Sequence, residues 1–284
     1  MMYDLDFYET DSVYDSEYMT LAGEWEDAWN DVPWDFASHE DVLGCVEVKI
    51  RDKYNVNMRD KNNRTPLLLA AKYNHEGALA CIMTVDKNLE VMDYDGKTAL
   101  MYCAENGSEA SVKLLLSSFV EVDTMDPYGK TALFLSVENN HPEVARILMN
   151  MHPNLDVQDQ YKGDTALMKA VENEDIQLVG DLINAGASLN LRNYNGETAL
   201  LKATAIGKKF IMRKLLEAGA DMNIKDIKGK TPMTVAVEME DWELVEELER
   251  YIPKEKQQDS SIEKLCNHKT ICPVMAALTR QRTS

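Results

Sequence analysis

Apolar residues along the chain fall into pairs of short blocks, and polar turns separate each pair from the next. The second block of a pair is strongly apolar, as in residues 112–116 and 178–183. Such blocks predict a short helix, a tight turn and a longer helix. The same order of turn, helix, turn and helix recurs along most of the chain, which indicates an internal repeat.

A threonine marks the same point in six successive units. It is followed by Ala or Pro and then by Leu or Met, and it stands at Thr65, Thr98, Thr131, Thr165, Thr198 and Thr231. The intervals are 33, 33, 34, 33 and 33 residues, and the extra residue lies in the segment 159–164. An Asp usually stands five residues before the threonine and a Gly two residues before it, with Asn63 replacing Gly once. Gly and Asn both tolerate a positive φ angle, so every unit is predicted to contain the same tight turn.

A small residue follows each threonine five positions later. The series is Ala70, Cys103, Ser136, Ala170, Ala203 and Ala236. A small side chain on the first helix of every unit lets the neighbouring helices approach closely. Two units then close with Ala-Gly-Ala, at residues 185–187 and 218–220, and Gly is the residue expected just past the end of a helix.

This pattern resembles the ankyrin repeat over roughly residues 28–252. A degenerate first copy, which contains Trp34, precedes six clear ones. The resemblance implies an all-α fold, a solenoid of stacked helix-turn-helix units with hairpin-like loops, in which neighbours bury each other's apolar faces. The implied copies span residues 28–59, 60–92, 93–125, 126–158, 159–192, 193–225 and 226–252.

The two end copies of a solenoid each expose one face to water and therefore need a cap. Trp34 is expected to help cover the first copy. The last helix is predicted between residues 241 and 251, and it is rich in Glu, including Glu247. We expect it to be a solvated cap.

The sequence departs from the ankyrin pattern at the residue after the Leu. The family usually has His there, whose ring ties adjacent loops together. This chain has Leu68, Met101, Phe134, Met168, Leu201 and Thr234. We expect apolar packing to replace that hydrogen bond.

The resemblance also indicates where a partner would bind, since ankyrin proteins usually meet partners with loop tips and exposed positions of the first helix. Carried over to this chain, the helix positions give a glutamate row, Glu105, Glu138, Glu172 and Glu238, and the loop tips give a tyrosine row, Tyr94, Tyr128, Tyr161 and Tyr194. Carboxylates beside aromatic rings suit a protein partner with a segment rich in Lys or Arg. The alternative for the glutamate row is an ordinary solvated helix face.

Composition and charge exclude several other classes of protein. The formal charge is −19, and residues 1–48 hold 14 acids and no Lys or Arg. Such a chain would repel phosphate backbones, so no nucleic-acid partner is expected. No apolar run of about 18 residues predicts a membrane span. The start of the sequence has no signal-peptide pattern, and five scattered cysteines favour a reducing compartment, the cytoplasm or the nucleus.

The residues also give no sign of catalysis, and no enzyme, metal or cofactor is expected. Three Gly-Lys-Thr triplets, beginning at Gly96, Gly129 and Gly229, look like the end of a phosphate-binding loop but lack its upstream Gly. The five histidines are dispersed and belong to no recognisable catalytic or zinc-binding motif.

The two ends of the chain differ from the repeats. Residues 1–27 are acidic and aromatic, and we expect a disordered segment that is either a solubilising tail or a docking segment. Residues 253–284 read as a linker and a tail with a short helix. This helix is similar to the first helix of a SOCS box, with Leu265 and Cys266 at matching positions, but the downstream Leu-Pro-rich stretch is absent.

Three functions follow from these observations. The leading one is a non-enzymatic adaptor or inhibitor that binds a protein partner on its concave surface. The SOCS-box resemblance implies an alternative, a substrate-recognition subunit of a cullin-type ubiquitin ligase that recruits an elongin-type adaptor. A third function is a structural scaffold that tethers two partners.

Overall fold

The computed structural model describes residues 29, 31–35 and 38–252. This part of the chain forms helices and contains no strand, so the predicted all-α fold is confirmed. In chain order the helices are α1 His39–Arg51, α2 Pro66–Lys72, α3 Glu76–Val85, α4 Ala99–Glu105, α5 Glu109–Leu116, α6 Ala132–Glu138, α7 Pro142–Met149, α8 Ala166–Glu172, α9 Ile176–Asn184, α10 Ala199–Ala205, α11 Lys209–Glu217, α12 Pro232–Glu238 and α13 Trp242–Glu249.

The recurring threonine is the residue that starts the first helix of each unit. Its backbone is extended, and its hydroxyl accepts a hydrogen bond from the backbone N–H three residues later, as in Thr131 with Phe134 at 3.2 Å. This bond satisfies one of the N–H groups that a helix leaves without a partner at its start. The Ala or Pro that follows suits the first helical position. The threonine spacing is therefore a spacing of helix caps.

The first helices of successive units pack side by side, and so do the second helices. The small residue of each first helix is fully buried at this contact, as Ala70, Cys103 and Ser136 illustrate. The apolar residues that replace the family's usual His are buried as well, namely Leu68, Met101, Phe134, Met168 and Leu201. The expectation that apolar packing occupies these positions is therefore correct.

A second set of ties joins neighbouring units beyond the ends of their second helices. In each case a side-chain oxygen of one unit accepts a hydrogen bond from a backbone N–H of the next. The pairs are Glu90 with Glu121 at 2.8 Å, Asp123 with Asn154 at 2.9 Å, Asp156 with Ser188 at 2.8 Å and Asn190 with Asp221 at 2.9 Å. These bonds hold one edge of the stack in register.

The degenerate first unit contributes one long helix, α1, which packs against α3. Residues 31–35 form turns rather than a first helix. Trp29 and Trp34 stack with ring centroids 6.5 Å apart, and both are buried. The carbonyl of Trp34 lies 2.6 Å from Nε2 of buried His75, so the turn is tied directly to the second unit. Trp34 therefore covers the first face of the stack, together with Trp29.

The last helix, α13, differs in one respect from the solvated cap expected from its sequence. Glu247 is almost completely buried, with 2% of its side chain exposed. Both of its carboxylate oxygens accept hydrogen bonds from Arg213 on α11, at 2.7 and 2.9 Å, and Arg250 donates another at 2.9 Å. The hydrogen bonds from Arg213 hold the pKa of Glu247 below its usual value. This glutamate is part of the contact between the last two units.

The N-terminal segment 1–27 and the tail 253–284, with Leu265 and Cys266, lie outside the described residues.

Phe119 occupies the position that Gly186 and Gly219 take in later units. All three have a positive φ angle, 59° for Phe119, and the Phe119 side chain is 93% exposed. Because a left-handed backbone strains a bulky residue, Phe119→Gly should raise the free energy of unfolding by about 1 kcal/mol. Asn140→Gly, at a φ of 61°, should change stability less because Asn tolerates this conformation. Urea denaturation of both variants measures the difference, and equal effects would contradict the strain at Phe119.

Candidate partner-binding surface

Each loop between units is shaped by the side chain that begins it, which is an Asp in every unit but the sixth, where it is Asn193. In the fourth unit the Oδ1 atom of Asp126 accepts hydrogen bonds from the backbone N–H groups of Tyr128 at 2.9 Å and Lys130 at 2.8 Å. Asp93 makes the equivalent bonds in the third unit. An Asp side chain that bonds its own following backbone closes a tight turn. The turn leaves the residue at the tip of the loop pointing away from the stack.

The structure places all four predicted tyrosines at these tips, in four consecutive units. Their exposed fractions are 75% for Tyr94, 55% for Tyr128, 82% for Tyr161 and 62% for Tyr194. Large aromatic side chains are seldom this exposed in a regular row without a reason. The tyrosine row therefore exists as a physical feature of the surface.

Backbone hydrogen bonds connect most of the neighbouring tips. The N–H of Tyr94 donates to the Asn62 carbonyl at 3.2 Å, and the N–H of Tyr194 donates to the Lys162 carbonyl at 2.8 Å. The same bond would be made at the junction of the third and fourth units by residue 127. This residue is Pro127, which has no N–H to donate, and it lies directly against Gly96 instead.

The glutamate row is not a line of free carboxylates. Lys97 lies 2.5 Å from Glu105, and Lys130 lies 2.6 Å from Glu138. Lys230 makes the same contact with Glu238. In each case the lysine belongs to a Gly-Lys-Thr triplet of the same unit. These ion pairs give the triplets a structural role that does not involve a nucleotide.

Glu172 has a different set of partners because Asp164 replaces the lysine in its unit. The ammonium group of Lys202, from the next unit, lies 2.7 Å from Asp164 and 2.5 Å from Glu172, and its side chain is 8% exposed. Lys169 adds a contact at 3.0 Å. Burial tends to raise the pKa of Glu172, but hydrogen bonds from Lys202 and Lys169 outweigh it and lower the pKa. Glu172 is thus part of a buried ionic contact between the fifth and sixth units.

Three exposed apolar residues that the sequence reasoning did not select extend the tyrosine row. Met92 and Met125 each stand six residues before their threonine, and Ile227 takes the tip position of Tyr94 and Tyr194. All three could have been found from the sequence, because each is an apolar residue at an aligned loop position. We call the combined surface the tip ridge, and it consists of Met92, Tyr94, Met125, Tyr128, Tyr161, Tyr194 and Ile227.

The family model described as "Ankyrin repeats (3 copies)" matches residues 36–126, 112–193 and 167–258 of this chain. The chain belongs to the ankyrin repeat family. The fold described above is therefore an ankyrin solenoid, and the tip ridge lies on the ankyrin loops.

Solved ankyrin structures are similar to this chain along most of its length. The ankyrin repeat domain of Bcl-3, a member of the IkappaB protein family, is 24% identical, with a TM-score of 0.65 over 80% of this chain and 97% of that chain. An ankyrin repeat domain from Acinetobacter baumannii AYE is 27% identical, with a TM-score of 0.62 over 66% of this chain and 97% of that chain. A comparison with curated protein sequences gives no match.

Ankyrin repeats make this chain a protein–protein interaction module, and ankyrin domains are in general not enzymes. Within residues 29, 31–35 and 38–252, no three His, Cys, Asp or Glu side chains are grouped as metal ligands would be. None of the helices described is both long enough and apolar enough to cross a membrane. Cys45, Cys81 and Cys103 are free thiols.

Lys202→Ala should destabilise the ankyrin stack far more than Lys130→Ala. The first change leaves Asp164 and Glu172 without their buried cation, which costs about 3–5 kcal/mol. The second removes a contact that solvent screens more effectively, which costs about 1 kcal/mol or less. Chemical denaturation of the two variants measures both values. Equal losses would show that the contact at Lys202 is no more important than an ordinary surface pair.

Glu172→Gln should reveal the lowered pKa of Glu172 as a pH-dependent difference in stability. A group whose pKa is lower in the folded state stabilises that state above its ordinary pKa of 4.5, and the contribution disappears as the pH falls. The variant should therefore be less stable than the parent by a constant amount above about pH 5. This difference should shrink below pH 4.5, and urea unfolding across pH 3–7 tests the trend. A difference that grows on acidification would contradict it.

Proposed function

We propose that this ankyrin protein is an adaptor or inhibitor that binds one protein partner along the tip ridge and the adjoining concave face. The single observation that carries the proposal is the exposed tyrosine in each of four consecutive loop tips. Exposed aromatic rings in a row do not stabilise a monomer, whereas they provide apolar contact area for a partner.

Tyrosine suits this role for two physical reasons. It brings a large apolar area with few rotatable bonds, so little conformational entropy is lost when a partner covers it. Its hydroxyl can form a hydrogen bond at the wet edge of an interface. The loop tips of Tyr94 and Tyr194 are further fixed by the backbone bonds to their neighbours, so most of the surface is organised before binding.

We assign the glutamate row a smaller contribution to affinity. The carboxylates of Glu105, Glu138 and Glu238 remain partly exposed, and a Lys or Arg of a basic partner segment could take the place of their own lysines. Exchanging one ion pair for another changes the free energy little, so these contacts favour specificity and orientation. Glu172 already has a buried lysine and takes no part in the exchange.

The two alternative functions depend on residues outside the described part of the chain. Ligase recruitment through an elongin-type adaptor requires Leu265 and Cys266, and co-purification of elongin that depends on both residues would support it. A scaffold requires a second partner bound by the end segments. No described contact favours either function over an adaptor or inhibitor. The free cysteines support our placement of the protein in the cytoplasm or nucleus.

Tyr128→Ala combined with Tyr161→Ala should weaken partner binding at least tenfold without unfolding the ankyrin stack. Both rings are exposed, so their removal leaves no cavity, whereas the loss of two interface tyrosines costs 1.4 kcal/mol or more, about a factor of ten in affinity. The partner is first identified by affinity purification of the full chain with quantitative mass spectrometry. The purified partner is then titrated against the parent and the double variant.

Tyr54→Ala is the matched control, because Tyr54 is an exposed tyrosine that lies outside the tip ridge. It should retain the partner at parental affinity. Circular dichroism and thermal melting confirm that all three proteins fold. A double variant that is folded and binds its partner with unchanged affinity would refute the proposed role of the ridge.

A further inference from the structure

The tips of the last three ankyrin units carry four exposed cations. They are Lys162, Arg192, Lys225 and Lys228. Lys162 lies 3.9 Å from Glu172, which already has two closer lysines, and its side chain is 57% exposed. Arg192 donates a hydrogen bond from Nε to the Gly196 carbonyl at 3.2 Å and has no carboxylate partner among the described residues. Neither Lys225 nor Lys228 forms a salt bridge within the described residues.

The acids near these cations are occupied by other groups. Asp159 accepts hydrogen bonds from the backbone of its own loop, and Asp226 does the same in the last unit. Asp156 binds Ser188, Glu197 accepts a bond from Asn193, and Asp221 accepts bonds from Asn223. None of these acids forms a salt bridge with Arg192, Lys225 or Lys228, so these cations remain available to carboxylates from outside the stack, although the whole chain has a formal charge of −19.

These cations surround the part of the tip ridge that is formed by Tyr161, Tyr194 and Ile227. Backbone bonds make the region continuous, since the Lys162 carbonyl accepts from the N–H of Tyr194 at 2.8 Å and the Asn195 carbonyl accepts from the N–H of Ile227 at 3.0 Å. We call Lys162, Arg192, Lys225 and Lys228, together with Tyr161, Tyr194 and Ile227, the cationic patch. A surface of cations and exposed aromatic rings fits a chain segment that is acidic and contains aromatic residues.

The chain itself contains a segment with this composition. Residues 1–28 hold nine acids, no Lys or Arg, and the aromatic residues Tyr3, Phe7, Tyr8, Tyr14, Tyr18 and Trp25. The first residue that the structure describes is Trp29, which is buried against the first unit. The carboxylates of this segment can therefore pair with the exposed cations of the patch.

The segment is also long enough to reach the patch. An extended chain spans at most about 3.3–3.6 Å per residue, so 28 residues cover roughly 90–100 Å. Packed helices lie about 10 Å apart, so the six steps from the first unit to the seventh amount to roughly 60 Å. The contact can therefore form within one molecule.

We infer that residues 1–28 of this chain dock on the cationic patch and cover that part of the tip ridge. The carboxylates of the segment neutralise the exposed cations, and its aromatic rings pack beside Tyr161 and Tyr194. The inference rests on the proposed function, because it names what occupies the ridge before a partner binds. A partner would then have to displace the segment, which makes binding selective for a partner that competes effectively.

Carbodiimide cross-linking of the full-length protein tests the contact directly. The reagent joins a carboxylate to a lysine amine only where the two groups touch. Because the first basic residue is Lys49, trypsin releases residues 1–49 as one peptide, which mass spectrometry can identify in linked form. We expect links from this peptide to Lys162, Lys225 or Lys228. They should be lost in about 1 M salt, where the Debye length falls to about 3 Å.

Two sets of variants provide the controls. Lys162→Glu, Lys225→Glu and Lys228→Glu together should release the segment, which is measured as increased proteolysis or faster amide exchange within residues 1–28. Lys53→Glu with Lys61→Glu changes exposed lysines of the early units and should leave the segment protected as in the parent. Equal protection in the triple variant and the parent would overturn the inference.

Other cross-linking results would also overturn it. Links only to Lys53, Lys61 or the lysines of residues 253–284 would show that the segment docks elsewhere. Links formed only between isotopically light and heavy copies would show that it binds another molecule. The cross-linking is carried out on the parent protein without a partner, so its outcome does not depend on the tyrosine variant. If the cross-links are missing but the tyrosine variant loses partner binding, only this inference is refuted. If the cross-links form but the tyrosine variant binds its partner with unchanged affinity, only the proposed function is refuted.

Discussion

The close packing of first helices against one another is the contact on which the rest of the structure depends. One ankyrin unit cannot bury its own apolar face, so its stability comes from its neighbours. The packing requires a side chain no larger than Ala, Ser or Cys at one position of every unit, and these side chains are completely buried. A larger residue at Ala170 or Ala203 would push two units apart and disturb the loops on both sides. The spacing of the loop tips thus follows from the size of a residue in the core.

The regular spacing of the loop tips results from this packing, and their shape results from the Asp residues of the loops. Asp126 fixes the shape of its loop, and the loop directs Tyr128 outward. Ionic contacts then distribute charge along the stack. Lysines neutralise the glutamates of the third, fourth and seventh units, whereas Arg192, Lys225 and Lys228 at the later tips form no salt bridge within the described residues. An aromatic ridge with uneven charge can distinguish one orientation of a bound segment from the other.

The sequence was sufficient to predict features that depend on local geometry. The helix caps at Thr98 and Thr131, the turns and the exposure of the tyrosines all follow from residues at fixed spacing, and the structure confirms them. It was not sufficient for side-chain partners. Lys130 is eight residues from Glu138, and Lys202 is 30 residues from Glu172, so neither pair appears as a helical neighbour. Glu247 was misjudged for the same reason, because its partner Arg213 lies on another unit.

Pro127 has a mechanical consequence for the ridge. Without an N–H group it removes the bond between the tips of the third and fourth units, while the bond between Asp123 and Asn154 on the other edge remains at 2.9 Å. The same two units are also joined by His141, whose Nε2 donates a hydrogen bond to the Glu105 carbonyl at 3.0 Å. Among the neighbouring tips of the ridge, those of Tyr94 and Tyr128 are thus the pair whose spacing is set by side-chain packing rather than by a backbone hydrogen bond.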